Sequence, residues 1–305
     1  MRAAYYEAFG GPENVRIGER PDPAPEADRV LVRIRAAGVG IWDVGILSGA
    51  FGQPLPSVPG CEIAGTVEVA AGGFSAGDRV FASLWDSKGG GFAEIAAAQV
   101  GRVAPVPEGI DFAEAAGLVI SAATAYEGLV DRARLQAGET VLITAASGGV
   151  GTAAVQIARS AGARVVAVAS ARNHDYVRDL GADVAVDYHD SDFVEQLRSA
   201  APTGFEVLFD GTGNEVRDQV LGLIRDGGRG IFIVGGTPPA RQGVEFQWFA
   251  ATVDRPRLEA VAELAASGKL RMPIEPVFPL ERAREALERV AAKHTVGRVV
   301  LQIGS

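Results

Sequence analysis

Residues Val141-Leu142-Ile143-Thr144 run into Ala145-Ala146-Ser147-Gly148-Gly149-Val150-Gly151 and on into Thr152-Ala153-Ala154-Val155-Gln156-Ile157-Ala158. The first four suit a buried, pleated strand, the glycines suit a tight reversal, and the rest carries apolar residues at helical spacing. A second apolar run at 164–169 follows Gly162, so strand, loop, helix and strand complete one βαβ unit of about 30 residues. Such a unit aims the free N–H groups of a helix N-terminus at an anion, usually a dinucleotide pyrophosphate. Ala146-x-Gly148-x-x-Gly151 carries alanine at the first glycine of the dinucleotide fingerprint, so on the loop alone a phosphate-free turn stays open.

The chain has 305 residues, 48% of them hydrophobic, a length at which one core commonly divides into two domains. A formal net charge of −9 without any dense Lys/Arg run argues against nucleic acid as a partner. Cys61 stands alone, which excludes an internal disulfide, and three dispersed histidines cannot complete a Cys-rich structural zinc site. Residues 1–7 lack the apolar core of a signal peptide, and no stretch approaches the roughly 20 apolar residues of a membrane span. The expectation is a soluble, cytoplasmic protein with no membrane partner.

From residue 1 to about 110, short β-like runs at 29–35, 63–69 and 79–82 stand between Gly/Pro punctuation, which predicts a compact, mostly β domain. From Phe112 to about Ala265 strands alternate with helical stretches, including runs at 204–210 and 229–235, which predicts a parallel, doubly wound sheet. Residues 279–290 read as a helix and 298–303 as a closing strand that returns to the first domain.

Six ordered blocks extend over nearly the whole chain: Ala36-Ala37-Gly38-Val39 with Trp42-Asp43, Val58-Pro59-Gly60-Cys61-Glu62-Ile63-Ala64-Gly65, Phe74-Ser75-Ala76-Gly77-Asp78-Arg79-Val80, Gly90-Gly91-Phe92-Ala93-Glu94, Ala122-Ala123-Thr124-Ala125, and the loop from Ala145 to Gly151. With these blocks the chain resembles the medium-chain dehydrogenase/reductase superfamily, and within it the zinc-independent quinone oxidoreductase (zeta-crystallin-like) branch. The resemblance implies an α/β protein with a discontinuous GroES-like β-barrel catalytic domain over 1–112 and 266–305. It further implies a Rossmann doubly wound parallel-sheet domain over 113–265 and a substrate cleft between the two. Residues 244–249 match a strand that in this family pairs across a two-fold axis, so a homodimer is expected, while an internal edge strand fits the same run.

Zinc-dependent members of the superfamily hold a catalytic zinc with Cys, His and Cys. Here those positions read Gly40, Cys61 and Ser121, so no metal is expected and oxidation through a metal-bound alkoxide is disfavoured. The Gly-Val-Asn-x-x-Asp pattern of the quinone reductases becomes Gly38-Val39-Gly40-Ile41-Trp42-Asp43, and their next-loop tyrosine appears as Phe51. Both changes weaken the transfer of a proton-donor role to this chain.

The tip of the second Rossmann strand, Ala169-Ser170-Ala171-Arg172-Asn173-His174, has no acid to hold a ribose 2′-OH, whereas Ser170 and Arg172 can bind a 2′-phosphate. This points to NADPH. By the resemblance Tyr188 approaches the same phosphate; a solvated Arg172 and a half-buried Tyr188 fit the sequence too, and His174 reads as a surface residue. Ser147, Gly148, Gly149 and Val150 are the expected pyrophosphate cradle, with Gly211-Thr212-Gly213 and Val234-Gly235-Gly236 approaching ribose and nicotinamide. Asp43 and Thr124 are the candidates beside the reacting atoms, Asp43 as a fixer of ribose or loop more than as an acid, Thr124 as a cofactor contact. Cys61 reads as a small buried hydrophobe.

Trp42, Phe51 and Trp85 fall on the cleft side by the resemblance, which suits a small flat or apolar substrate; Phe92 fits cleft or barrel core equally. Without a placed general acid, reduction of a quinone or an activated C=C bond (enone or enal) is favoured over ketone reduction, which develops an alkoxide. The alternatives are a non-catalytic NADPH-binding redox sensor and a zinc-free reductase of a specialised metabolite.

Overall fold

The computed structural model describes residues 1–293 and 295–304. The chain divides into two units: residues 1–120, 253–268 and from 272 onward form the first, and residues 121–252 with 269–271 the second.

In the first unit β1 (Arg2–Tyr5) and β2 (Arg16–Glu19) pair antiparallel. Strands β3 (Arg29–Val39), β4 (Glu62–Val69), β5 (Arg79–Ser83), β6 (Ile95–Gln99) and β7 (Val103–Pro105) make an antiparallel sheet in which β3 pairs with both β4 and β6. β3 outlasts the run expected at 29–35, because Ala36, Ala37, Gly38 and Val39 are small or β-branched and buried. A short helix α1 (Ile41–Leu47) leaves β3, and α2 (Phe112–Tyr126) follows the sheet. Phe92 is fully buried and belongs to the core of this unit.

The second unit alternates β8 (Thr140–Ile143), α3 (Gly149–Ser160), β9 (Arg164–Val168), α4 (His174–Asp179), β10 (Val184–Val186), α5 (Phe193–Ala200), β11 (Phe205–Asp210), α6 (Glu215–Val220), β12 (Ile224–Phe232) and β13 (Glu245–Trp248). All pairings are parallel, in the order β10-β9-β8-β11-β12-β13, so the winding reverses between β8 and β11. In open sheets of this kind, ligands bind at the carboxyl ends of the strands beside that reversal. One face is sealed by Leu142, Val166, Phe205, Leu208 and Phe232, on which α5 lays Phe193 and Leu197. Each such side chain contributes about 1.5–3 kcal/mol on burial.

The chain then returns to the first unit through α7 (Arg255–Ala266), β14 (Ile274–Pro279), α8 (Ala283–Ala291) and β15 (Arg298–Gln302). β15 pairs antiparallel with β3, Val300 opposite Gly38. The first unit extends to Ile120 and resumes at Val253, and packing within it shows why. The Arg79 guanidinium covers the Phe112 ring at 4.7 Å and Ile120 N–H donates to Glu62 at 2.9 Å. Arg102 likewise donates to the Val253 carbonyl at 2.9 Å, and Arg255 covers the Phe74 ring at 5.0 Å. Among the described residues no helix is long and apolar enough to cross a membrane.

Candidate functional site

The carboxyl end of β8 leads through Thr144 into the turn that starts α3. Ala145 occupies the left-handed region at φ 51°, so the reversal usually given to glycine is made here by alanine. Gly151 has no room for a side chain: a Cβ there would stand 2.2 Å from the Ala145 carbonyl oxygen. Gly148 caps α3, whose first-turn N–H groups are left for an anion. Asn173 donates to Ser147 Oγ at 3.0 Å and so ties the cradle to the loop after β9. Ala145→Gly is expected to raise the unfolding free energy by about 1 kcal/mol, since relief of the left-handed backbone exceeds the added chain entropy; urea denaturation measures it.

The end of β11 is organised by Asp210, which is fully buried. Its carboxylate accepts from Thr144 Oγ1, from Thr212 Oγ1 at 2.7 Å and from Gly213 N–H at 3.0 Å, and Gly211 N–H donates to Thr144 Oγ1 at 3.0 Å. A Cβ on Gly213 would lie 3.0 Å from the Val234 backbone, and one on Gly211 would lie 3.4 Å from Ala145 Cβ. The structure therefore brings Gly211, Val234, Gly235 and the Ala145 turn together. Arg217 holds the left-handed Gly235-Gly236 pair by donating to both carbonyls at 3.4 and 3.5 Å.

After β9 and β10, Ser170 Oγ donates to Tyr188 Oη at 3.3 Å, so these two expected residues meet. Arg172 is exposed and has no hydrogen-bond or ion-pair partner among the described residues. His174 turns back to the Ala169 carbonyl at 3.2 Å and is half-buried. The sequence shows no acid at the β9 tip, yet Asp187, just past β10, reaches it through space. Its carboxylate accepts from Ala171 N–H at 2.8 Å and from His189 N–H and Nδ1 at 3.0 and 2.8 Å. Burial opposes ionisation, but these donors outweigh it and hold the Asp187 carboxyl below the usual range. The acid is spent on loop geometry, and His189 lies against the Tyr188 ring at 4.0 Å.

In the first unit, Asp43 is fully buried. Gly40 N–H donates to its Oδ2 at 2.8 Å, the reach-back of a third helical residue to the N-cap, while Oδ1 has no hydrogen-bond partner. Glu62 accepts from Ile120 N–H and from Arg298, whose guanidinium lies 4.9 Å from the Trp42 ring centroid. Burial pushes Asp43 up to about 7 against the pull of Gly40 N–H and Arg298. Burial pushes Glu62 up to about 7 as well, opposed by Arg298 and Ile120 N–H and reinforced by Asp43. Two buried carboxyl groups thus lie in the field of one guanidinium, which is bonded to Glu62.

A Cβ on Gly40 would fall 2.1 Å from Trp42 Cε2, so the indole fills the space where a side chain at Gly40 would stand. Burial raises the Cys61 thiol well above its ordinary value, with Asp43 and Glu62 adding to the rise. No group of three His, Cys, Asp or Glu among the described residues could hold a metal ion. This donor set does not fit a catalytic zinc. Ser121 and Thr124, both on α2, are buried, and the Ser121 hydroxyl has no hydrogen-bond partner. Phe51 is exposed and meets the half-buried Trp85 edge-on at 5.3 Å.

A GroES-like unit joined to a Rossmann unit with this strand-end cradle defines an oxidoreductase that uses a nicotinamide cofactor. Residues 26–108 match the alcohol dehydrogenase GroES-like domain and residues 180–301 the family described as zinc-binding dehydrogenase. The human quinone oxidoreductase is 32% identical over 99% of this chain and 97% of its own length. The Arabidopsis thaliana chloroplastic NADPH-dependent alkenal/one oxidoreductase is 32% identical over 99% of this chain and 79% of its own. Among solved structures, an NAD-dependent alcohol dehydrogenase superposes with a TM-score of 0.91 at 28% identity, covering 100% of both chains. A mycobacterial protein complexed with NADPH superposes with a TM-score of 0.87 at 28% identity, covering 99% of both. The chain belongs to the medium-chain dehydrogenase/reductase superfamily, in its quinone oxidoreductase branch.

Proposed function

We propose that the protein is an NADPH-dependent reductase of quinones or activated C=C bonds that works without zinc. The observation that carries this reading is the Trp42 indole lying against Gly40, which fills with an apolar ring the place where zinc-dependent relatives have their first ligand. When bound, NADPH supplies a hydride to an electrophilic carbon or quinone. The amides of Ser147, Gly149 and Val150 would hold the pyrophosphate, with Gly148 N–H closing the turn onto the Ala145 carbonyl at 3.0 Å, and Gly211, Val234, Gly235 and Gly236 would let backbone approach ribose and nicotinamide. Ser170, Arg172 and Tyr188 hold the 2′-phosphate. Asp43, buried and bonded to Gly40 N–H, is a positioning residue, and Thr124 is the nicotinamide contact. Solvent protonates the reduced quinone or stabilised enolate, so no buried side chain need do so. The free edge of β13, with Trp248 exposed, is the surface through which a second copy would pair.

Initial rates with NADPH and NADH against a panel of quinones, enones and simple ketones test the reading. Turnover of quinones or enones, faster with NADPH, supports it; turnover of ketones alone overturns it. Arg172→Ala is expected to raise the KM for NADPH about 10- to 100-fold, the worth of a charge-assisted hydrogen bond, with KM for NADH changed less than about twofold. Equal effects on the two would remove Arg172 from the phosphate site.

A further inference from the structure

We infer that Phe51, Trp85 and Lys88 form a subsite for the acidic group of a flat substrate, an aromatic or quinoid ring bearing a carboxylate, sulfonate or ionised hydroxyl. The inference rests on the assignment of Phe51 and Trp85 to the substrate side made above.

The Lys88 ammonium stands 4.4 Å from the Trp85 ring centroid and 6.0 Å from that of Phe51. None of its three N–H donors meets an acceptor among the described residues. The nearest acid in sequence, Asp86, is paired instead with Arg29 at 2.9 Å and leaves the lysine charge uncompensated. Lys88 also sits in the left-handed region at φ 56°, a conformation that residues with a side chain rarely adopt. The loop around it is pinned: Lys88 N–H bonds the Trp85 carbonyl at 3.3 Å, Gly90 N–H the Val58 carbonyl at 2.8 Å, and Gly91 N–H the Gly60 carbonyl at 2.9 Å. Arg29 holds the other side through Ser87 Oγ at 3.2 Å.

A left-handed lysine on a pinned loop, its head beside an edge-to-face pair of aromatic rings and its donors free, is built for recognition more than for packing. A neutral flat ligand would have to displace the ammonium from Trp85 to stack there. An acidic one leaves it in place, adds a charge-assisted hydrogen bond and lays its ring against the exposed Phe51.

The test compares 1,2-naphthoquinone with its 4-sulfonate as electron acceptors from NADPH, for the wild-type protein, Lys88→Met and Lys88→Arg. The methionine variant should lose about 10- to 100-fold in kcat/KM on the sulfonate, mostly through KM, and less than about threefold on the neutral quinone, with arginine restoring part of the loss. Equal losses on both quinones, or none on either, overturn the subsite while leaving quinone reduction intact. Calorimetric titration with 2-naphthalenesulfonate separates the two readings. Binding that Lys88→Met abolishes, in a protein that turns over neither quinone, supports the subsite and sinks the reaction proposed above; no difference between wild type and variant overturns the subsite.

Discussion

Replacing Arg298 by methionine is expected to lower the unfolding free energy by about 3–5 kcal/mol at pH 8, the usual consequence of removing one partner from a buried ion pair. Arg298 is only 5% exposed, bonds the fully buried Glu62 and lies over the Trp42 ring, so no water can replace it. Its loss leaves the Glu62 and Asp43 carboxyl groups in an apolar interior with backbone N–H groups alone to oppose their charge. The double variant Arg298→Met with Glu62→Gln should recover more than half of the loss, because a neutral amide still accepts from Ile120 N–H and no charge is stranded. At pH 5 the single variant should be less impaired, since both carboxyl groups are then protonated. Urea titrations at the two pH values decide it: a cost below about 1 kcal/mol at pH 8, with no rescue by the second substitution, would remove the Glu62–Arg298 pair from the stability of this unit.

The same residues explain why some of the site was legible in the sequence and some was not. The Rossmann unit announces itself because parallel strands covered on both faces read as unbroken apolar runs, as in Val141-Leu142-Ile143 and Val165-Val166-Ala167-Val168. The meeting of Ser170 with Tyr188 follows from two adjacent strand ends and could be anticipated. Asp210 left a local trace, the turn-forming Asp-Gly-Thr-Gly stretch, but its capture of Thr144, 66 residues away, is a product of the strand order. Glu62 and Arg298 are 236 positions apart and meet because β15 lies beside β3 and β3 beside β4. Their one sequence signal is a charge set inside an apolar run, which periodicity reads as an exposed strand residue. Asp187 and His189 were hidden for the opposite reason: they flank Tyr188, and nothing local says that the Asp187 carboxylate turns back to Ala171 N–H. Lys88 gives no pattern at all, since a left-handed lysine among glycines looks like an ordinary turn.

Stability of the first unit should fall as pH rises from about 4 to about 7, and Asp43→Asn should flatten that fall. Asp43 and Glu62 both titrate near 7 when folded and near 4 when unfolded, so across this interval the folded chain binds more protons than the unfolded one. Their contribution is therefore fully present below about pH 4 and lost as the pH passes through about 7. Moving one such carboxyl from about 4 to about 7 corresponds to on the order of 3–4 kcal/mol, and the two groups are coupled, so their losses do not simply add. Other carboxyl groups move the opposite way, Asp187 among them, hence the quantity to follow is the difference between wild type and variant. The amide keeps an oxygen for Gly40 N–H and removes the charge that raises Glu62, which can then ionise against Arg298 alone. Relative to wild type, Asp43→Asn should gain about 2–4 kcal/mol between pH 5 and pH 8.5 in urea denaturation. Parallel pH profiles would mean that the Asp43 carboxyl titrates no higher folded than unfolded, and that water reaches it.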